Sequence, residues 1–183
     1  MKNTSTSRRR AAPAALIILT MLSAAAPQFA CAPMGAVSNE EQAIPRTHTS
    51  GDPLAACTST RNRDVVKWTN QARKDAGQPP VYCSPELDKI ALKHANDMCK
   101  KGYFSHTSKD GRTMEDRVNE AGFEFRAIGE NIAMGHPTPA EVHAGWMDSP
   151  EHRKNIIRPV FSRLGVGYAP CNGQPIWVQN FAN

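Results

Sequence analysis

The stretch SRLGVGYAPCNGQPIWVQNFA, residues 162–182, contains two short β-prone runs and the link that joins them. SRLGVGYA and PIWVQNFA carry branched and aromatic side chains, and the link PCNGQ contains the pair Asn172-Gly173. Asn-Gly readily adopts the left-handed backbone of a tight turn, so the stretch predicts a β-hairpin. With PVY (80–82) as a third short strand, the sequence predicts a small antiparallel sheet.

Three helix starts upstream of this hairpin share one design. SPEL at Ser84, TPAE at Thr138 and SPEH at Ser149 each supply a hydroxyl N-cap, a proline and an acid in the first turn. Apolar spacing predicts an earlier helix that ends at Gly77, and a capping pattern predicts another that starts at Thr113. Helices covering a small sheet place the chain in the α+β class.

The chain divides into three segments by composition. Residues 1–26 combine the positive run Arg8–Arg10 with an apolar stretch too short to span a bilayer, which predicts a secretory signal peptide. Residues 27–56 are poor in large apolar side chains and rich in Pro, Ser, Thr and Glu, which predicts a flexible linker. Residues 57–183 remain as one domain, which we expect to be monomeric, with no transmembrane span in the mature protein.

The charge of the predicted domain argues against a nucleic-acid partner. Residues 57–183 contain 17 Lys and Arg against 14 Asp and Glu, so the domain carries only about three net positive charges. The adjacent basic pair Lys100-Lys101 has no aromatic-interleaved basic patch around it.

Five cysteines in an exported chain predict disulfides with one cysteine left over. Cys31 is the odd one, and a lipid anchor there is the less favoured alternative to free secretion. Cys83 and Cys99 lie at opposite ends of a predicted helix, about 24 Å apart, and cannot bond to each other. If the helices flanking residues 77–82 are antiparallel, Cys57 lies near Cys99, and the expected pairs are Cys57–Cys99 and Cys83–Cys171.

Three stretches combine reactive side chains with turns or glycines: GYFSHTSKDGR (102–112), GENIA (129–133) and WMDSPEHRKNI (146–156). In this order, with TNQAR before them and LGVGYA and WVQNFA after them, they resemble the CAP superfamily. That superfamily comprises cysteine-rich secretory proteins, antigen 5 and pathogenesis-related proteins, and the likeness is to its bacterial SCP-like extracellular branch. The resemblance covers about residues 64–181.

The resemblance implies an α-β-α sandwich with a cleft of histidine and glutamate side chains. Fuller members line this cavity with two His and two Glu, and the matching positions here are His106, Glu130 and His152. The second glutamate position is Ser149 in this chain, so the set is incomplete. The implied function is a secreted or cell-envelope-associated, non-enzymatic binding module. Its cleft would take Zn²⁺ or another divalent cation, a small lipid or a cell-envelope component.

Other interpretations of the same residues stay open. Glu130 sits in an otherwise apolar run and needs a partner, which an imidazole without metal or a structural ion pair would also supply. His106 as a turn histidine and an incidental role for His152 are the simpler alternatives. An extracellular metal-assisted hydrolase or a protease is the alternative function. On an apolar helix stripe, His94 is expected to be a core histidine, and Trp146 and Trp177 are expected to be core or cavity wall.

Overall fold

The computed structural model describes residues 51–183. The predicted signal peptide, Cys31 and most of the predicted linker therefore lie outside the described residues. Residues 53–56, which the composition assigns to the linker, form a turn that packs on the domain. The Cys83 N–H donates to the Pro53 carbonyl at 2.9 Å, and Leu54 packs against the hydrophobic core. The folded part thus begins before Cys57.

Five helices and four strands follow in the described residues. In chain order they are α1 (Thr60–Asp75), β1 (Tyr82–Cys83), α2 (Pro85–Lys101), α3 (Met114–Glu120), β2 (Ile128–Met134), α4 (Pro139–Asp148), α5 (Pro150–Ile156), β3 (Arg163–Ala169) and β4 (Ile176–Ala182). Between residues 51 and 183, no helix is long and apolar enough to cross a bilayer.

The helix starts follow the predicted capping residues with one exception. The Ser84 hydroxyl accepts from the Leu87 N–H and the Thr138 hydroxyl from the Glu141 N–H, while Thr113 forms a capping box with its third helical residue, Asp116. Ser149 also occupies an N-cap position, but its hydroxyl makes no capping hydrogen bond.

The sheet has the strand order β1-β3-β4-β2. The predicted hairpin is confirmed: β3 and β4 pair antiparallel, and Asn172 and Gly173 in their link have φ of 43° and 78°. The sheet is mixed, however, because β1 pairs parallel to β3. The sequence analysis also missed β2, which pairs antiparallel with β4 along its whole length and forms the opposite edge.

Helix α2 packs directly on one face of the sheet, where two glycines of β3 remove the side chains that would separate them. A Cβ placed on Gly165 would lie 2.2 Å from the Leu87 carbonyl carbon, and a Cβ on Gly167 would lie 2.2 Å from that of Ala91. Real Cβ atoms do not approach so closely, so both positions need glycine for close packing.

The opposite face of the sheet is covered by α1, α4 and α5. Its core contains Trp146 from α4 and Trp177 from β4, both buried as predicted, with Val65 of α1 beside them. Helices on both faces of one sheet confirm the predicted α-β-α sandwich.

The predicted disulfide pairing is wrong. The structure joins Cys57 to Cys83 and Cys99 to Cys171, with Cα separations of 5.0 and 5.5 Å. The expected pairs Cys57–Cys99 and Cys83–Cys171 assumed that α2 follows α1 as a simple antiparallel hairpin.

An extended segment between α1 and α2 explains the difference. Residues 78–83 run back beside α1, held where the Asn70 amide exchanges hydrogen bonds of 2.8 and 2.9 Å with the Val81 backbone. An extended residue advances about 3.3 Å and a helical one about 1.5 Å, so a short return covers much of the length of α1. Cys83 therefore reaches the beginning of α1, where Cys57 lies.

Candidate functional site

Three of the predicted site residues come from different elements. Glu130 lies in the middle of β2, His106 lies in the loop between α2 and α3, and His152 lies in the first turn of α5. His106 is exposed over 55% of its side chain, whereas the Glu130 side chain is 3% exposed. The site therefore has an accessible imidazole above a buried carboxylate.

Both oxygens of Glu130 are engaged by neighbouring side chains. His106 Nδ1 lies 2.8 Å from Oε1, and Arg117 Nη2 donates to Oε2 at 2.8 Å. With its amide turned to suit its neighbours, Asn180 Nδ2 also donates to Oε2, at 3.1 Å. An ionised carboxylate is an acceptor only, so Nδ1 of His106 carries a hydrogen in this contact.

Arg117, in α3, is the cation that compensates the charge of the buried Glu130 carboxylate. Its side chain is 4% exposed, and its guanidinium also donates from Nη1 to the His106 carbonyl at 3.0 Å and to the Arg112 carbonyl at 3.2 Å. A guanidinium presents several donors in a planar fork, which allows it to hold a carboxylate and backbone carbonyls at once.

His94 is buried, as predicted, but it also belongs to this cluster. Its Nε2 lies 3.0 Å from the Ser105 carbonyl and 4.0 Å from Glu130 Oε1. Burial lowers the pKa of His94, the Glu130 charge opposes this, and the Arg117 charge adds to it. His94 is therefore neutral near pH 7 and donates from Nε2 to the backbone.

His152 is held by a chain of buried amides. Asn131 Nδ2 donates to the His152 carbonyl at 3.1 Å and to Gln179 Oε1 at 3.1 Å, and Asn155 Nδ2 donates to Asn131 Oδ1 at 2.9 Å. Burial lowers the pKa of His152, and a positive charge on the His106 ring would lower it further. The two rings thus lie within electrostatic reach, and His152 is neutral near pH 7.

The predicted ligand set does not form a ready metal centre. Within residues 51–183 no group of three or more His, Cys, Asp or Glu side chains is arranged to hold a metal ion. Both Glu130 oxygens already accept hydrogen bonds. The His106 and His152 rings are therefore the members of the predicted set that remain available to ligate a metal. Imidazole nitrogens suit a borderline metal such as zinc, with further positions left for water or ligand.

Neither serine near the site has the partner that a nucleophile needs. The Ser105 hydroxyl accepts from the Thr107 N–H at 3.1 Å, and no imidazole hydrogen-bonds to Ser105 or Ser149 Oγ in the described part of the chain. An activated serine requires an adjacent base. Ser149 is half-buried at the start of α5, three residues before His152.

A separate groove of about 410 Å³ runs along α1 and contains none of the predicted cleft residues. Pro53, Leu54 and Pro80 give it apolar walls, and Lys67 and Lys74 line it from the helix. This groove therefore does not coincide with the predicted lipid cleft around His106.

Sequence reasoning missed Arg117, Asn155 and Gln179. The available signal for Arg117 was charge balance, because a buried glutamate requires a cation and neutral imidazoles do not supply one. Nothing local distinguished Arg117 from the exposed Arg112, since which arginine faces inward depends on how α3 packs against β2. The sequence signal for Asn155 and Gln179 was weaker still, because the hydrogen-bond partners of their amides are more than 20 residues away.

Comparisons with known proteins agree with this architecture. The model of the family described as "CAP: Cysteine-rich secretory protein family" matches residues 66–181. YkwD of Bacillus subtilis (strain 168), an uncharacterised protein, is 39% identical over 123 residues, which are 67% of this chain and 47% of YkwD. This chain thus spans less than half of that curated relative.

Solved structures show the same fold. An extracellular SCP-domain protein of Bacillus anthracis has a TM-score of 0.63 and 31% identity, over 67% of this chain and 40% of its own. An outer surface protein of Borrelia burgdorferi has a TM-score of 0.61 at 21% identity, over 65% of this chain and 89% of its own. Because the family model covers more than half of the chain, this protein belongs to the CAP family of cysteine-rich secretory proteins, which is the family that the order of its motifs predicted.

Proposed function

We propose that this protein is an extracellular CAP binding module whose His106 and His152 rings bind a divalent transition metal such as Zn²⁺. The observation that carries the proposal is the 2.8 Å contact between Glu130 Oε1 and Nδ1 of an exposed His106. Metal-binding histidines in proteins commonly donate their second ring N–H to a carboxylate, which fixes the tautomer and turns the other nitrogen outward. Glu130 would act here as that orienting carboxylate and not as a ligand.

The state of His152 supports the same proposal. Only a neutral imidazole has a lone pair for a metal, and burial lowers the pKa of His152. Asn131 holds the backbone of His152 at a fixed place beside β2. With two protein ligands and open positions, the site would bind metal together with an exogenous ligand.

The family and the disulfides support an extracellular location. Two disulfides join the four domain cysteines, and such bonds persist in oxidising compartments. The Bacillus anthracis relative is described as an extracellular protein.

Zinc titration by calorimetry on the oxidised protein tests the proposal. We expect one zinc per chain, loss of binding in His106→Ala and His152→Ala, and roughly 10- to 100-fold weaker binding in Glu130→Gln. His143→Ala is the matched control, because its ring stacks on Trp68 with centroids 6.5 Å apart, away from Glu130. An absence of binding, or binding that survives both alanine variants, would contradict the proposal.

Hydrolysis is the second candidate, and the carboxylate–imidazole pair favours it. A metal-bound water would supply the nucleophile, and the oriented His106 would hold the metal. Turnover of a peptide or ester that is lost in His152→Ala, with the fold retained, would support this activity. Zinc binding without turnover would leave the binding module as the function.

A further inference from the structure

Arg117 holds the backbone of His106 directly and its ring through Glu130. Its Nη1 donates to the His106 backbone carbonyl at 3.0 Å, and its Nη2 donates to Glu130 Oε2 at 2.8 Å. Glu130 Oε1 in turn contacts the His106 ring at 2.8 Å. Three side chains therefore form a closed ring in which one guanidinium holds the main chain of His106 and, through Glu130, its imidazole.

The same guanidinium organises the rest of the loop that carries His106. Nη1 also donates to the Arg112 carbonyl at 3.2 Å and lies 3.4 Å from the Ser108 hydroxyl. Ser108 closes the loop by donating from its N–H to the Arg112 carbonyl at 2.9 Å. The loop is otherwise mostly exposed, so Arg117 is the buried group to which it is attached.

Charge explains why the imidazole needs this arginine. Without Arg117, Glu130 would be a buried carboxylate with one exposed imidazole and an amide as partners. With Arg117 bound to Oε2 at 2.8 Å, the charge of the carboxylate is compensated. Oε1 then stays in place to accept the hydrogen of His106 Nδ1, which fixes the orientation of the ring.

We propose that Arg117 is a positioning residue for His106, which fixes the place of the loop and the tautomer of the ring without touching the ligand. This inference rests on the proposed function only in taking His106 as the binding group. The position of the ring and its tautomer are properties of the protein before any metal is added.

The test compares Arg117→Gln and Arg117→Met with wild type, with Arg117→Lys as the rescue and Arg112→Gln as the matched control. Arg112 belongs to the same loop and pairs with Asp110 and Glu120 at the surface, so its loss leaves Glu130 untouched. Long-range ¹H–¹⁵N spectra of the imidazoles at pH 7.5 report the tautomer of His106. Calorimetry with zinc alone reports the affinity.

In wild type and Arg112→Gln we expect the His106 ring to be protonated on Nδ1. In Arg117→Gln and Arg117→Met we expect a mixture of the two tautomers, and zinc binding at least about 10-fold weaker. Arg117→Lys restores the charge beside Glu130 but not the planar fork, so both readouts should recover in part.

The outcomes separate this inference from the function on which it rests. Wild type that binds no zinc contradicts the proposed function, while the tautomer of His106 still tests Arg117. A folded Arg117→Gln with the wild-type tautomer and the wild-type zinc affinity overturns the positioning role. If Arg117→Met does not fold, the Gln and Lys variants decide the question by the same two readouts.

Discussion

At the scale of single residues, the pairing of Glu130 determines what the site can do. A carboxylate that is 3% exposed has to recover a desolvation cost of several kcal/mol. Glu130 recovers it with one ion pair to Arg117 and hydrogen bonds to His106 and Asn180. Because these partners use both oxygens, the residue that the family resemblance places at the centre of a metal site orients an imidazole in this chain.

Removing either half of the buried ion pair should destabilise the domain strongly. We expect Glu130→Ala and Arg117→Met each to lower the free energy of unfolding by about 3–5 kcal/mol, because each leaves an uncompensated buried charge. The double variant should cost less than the sum of the two, which a double-mutant cycle from urea denaturation measures.

The control for this cycle is the surface pair of Arg112 and Glu120, whose side chains are 29% and 49% exposed. Glu120→Ala should leave the denaturation midpoint almost unchanged, because both partners stay in water when the pair is broken. Strictly additive effects at Glu130 and Arg117 would show that the two side chains are energetically independent.

At the scale of elements, the contact between α2 and β3 sets the distance between this helix and the sheet. Gly165 and Gly167 point to the same face of β3, and the backbone of α2 occupies the space that their side chains would need. This close approach places His94, on α2, within 4.0 Å of Glu130 on β2. The position of His94 beside Glu130 thus depends on two glycines that contribute no side chain to the site.

Gly167→Ala should therefore destabilise the domain by about 1–3 kcal/mol or more, through overpacking between α2 and the sheet. The new Cβ would lie 2.2 Å from the carbonyl carbon of Ala91 and 2.4 Å from its oxygen, so the clash is with helix backbone. Adding Ala91→Gly should not rescue stability in thermal unfolding. Recovery in that double variant would mean that a side-chain contact, and not backbone proximity, limits the packing.

The elements that were predictable from the sequence are those whose signals are local. Ser84, Thr138 and Thr113 mark helix starts through caps within three residues, and Asn172-Gly173 marks the hairpin. Strand β2 was missed because buried Glu130 and Asn131 hide the apolar alternation that identifies a strand. The polar side chains on both faces of β2 are explained by partners that lie far away in the sequence, on other helices, on β4 and in the loop that carries His106.

The same limit applies to the site and to the disulfides. Sequence motifs identified His106 and Glu130, and the structure brings them into contact. They did not identify Arg117, and they led to the wrong cysteine pairs, because both depend on how separate elements pack. A parallel pairing of only two residues, β1 with β3, accompanies the return of the chain beside α1.

At the scale of the whole molecule, a buried polar chain connects the helical layer to the sheet and the site. Gln179 Nε2 donates to Thr69 Oγ1 of α1 at 3.1 Å, and Gln179 Oε1 accepts from Asn131, which holds the His152 carbonyl. Thr69, Gln179 and Asn131 are all fully buried. A buried network whose members are all hydrogen-bonded favours one packing arrangement. It therefore holds α1, β4, β2 and α5 in fixed positions relative to one another.

Histidines whose pKa is lowered by the fold should make the stability of the whole domain fall below neutral pH. Burial lowers the pKa of both His94 and His143, so the folded protein keeps these rings neutral while the unfolded chain protonates them near pH 6.5. As the pH falls through about 6.5, the unfolded state takes up protons that the folded state does not, and the free energy of unfolding decreases. For His94 the loss approaches about 1.4 kcal/mol per pH unit at most, and it ends once the pH passes the lowered pKa of the folded state.

Urea denaturation at pH 7.5, 6.5 and 5.5 measures this dependence. Acidic groups do not obscure it, since those with a lowered pKa, such as Asp110 at about 2, titrate well below this range. His143→Phe keeps an aromatic ring against Trp68 and removes one titrating group, so its stability should fall less steeply between pH 6.5 and 5.5 than that of wild type. If the stability of wild type were constant from pH 7.5 to 5.5, the folded protein would protonate its histidines as readily as the unfolded chain does. That result would contradict the conclusion that His94 is neutral beside Glu130.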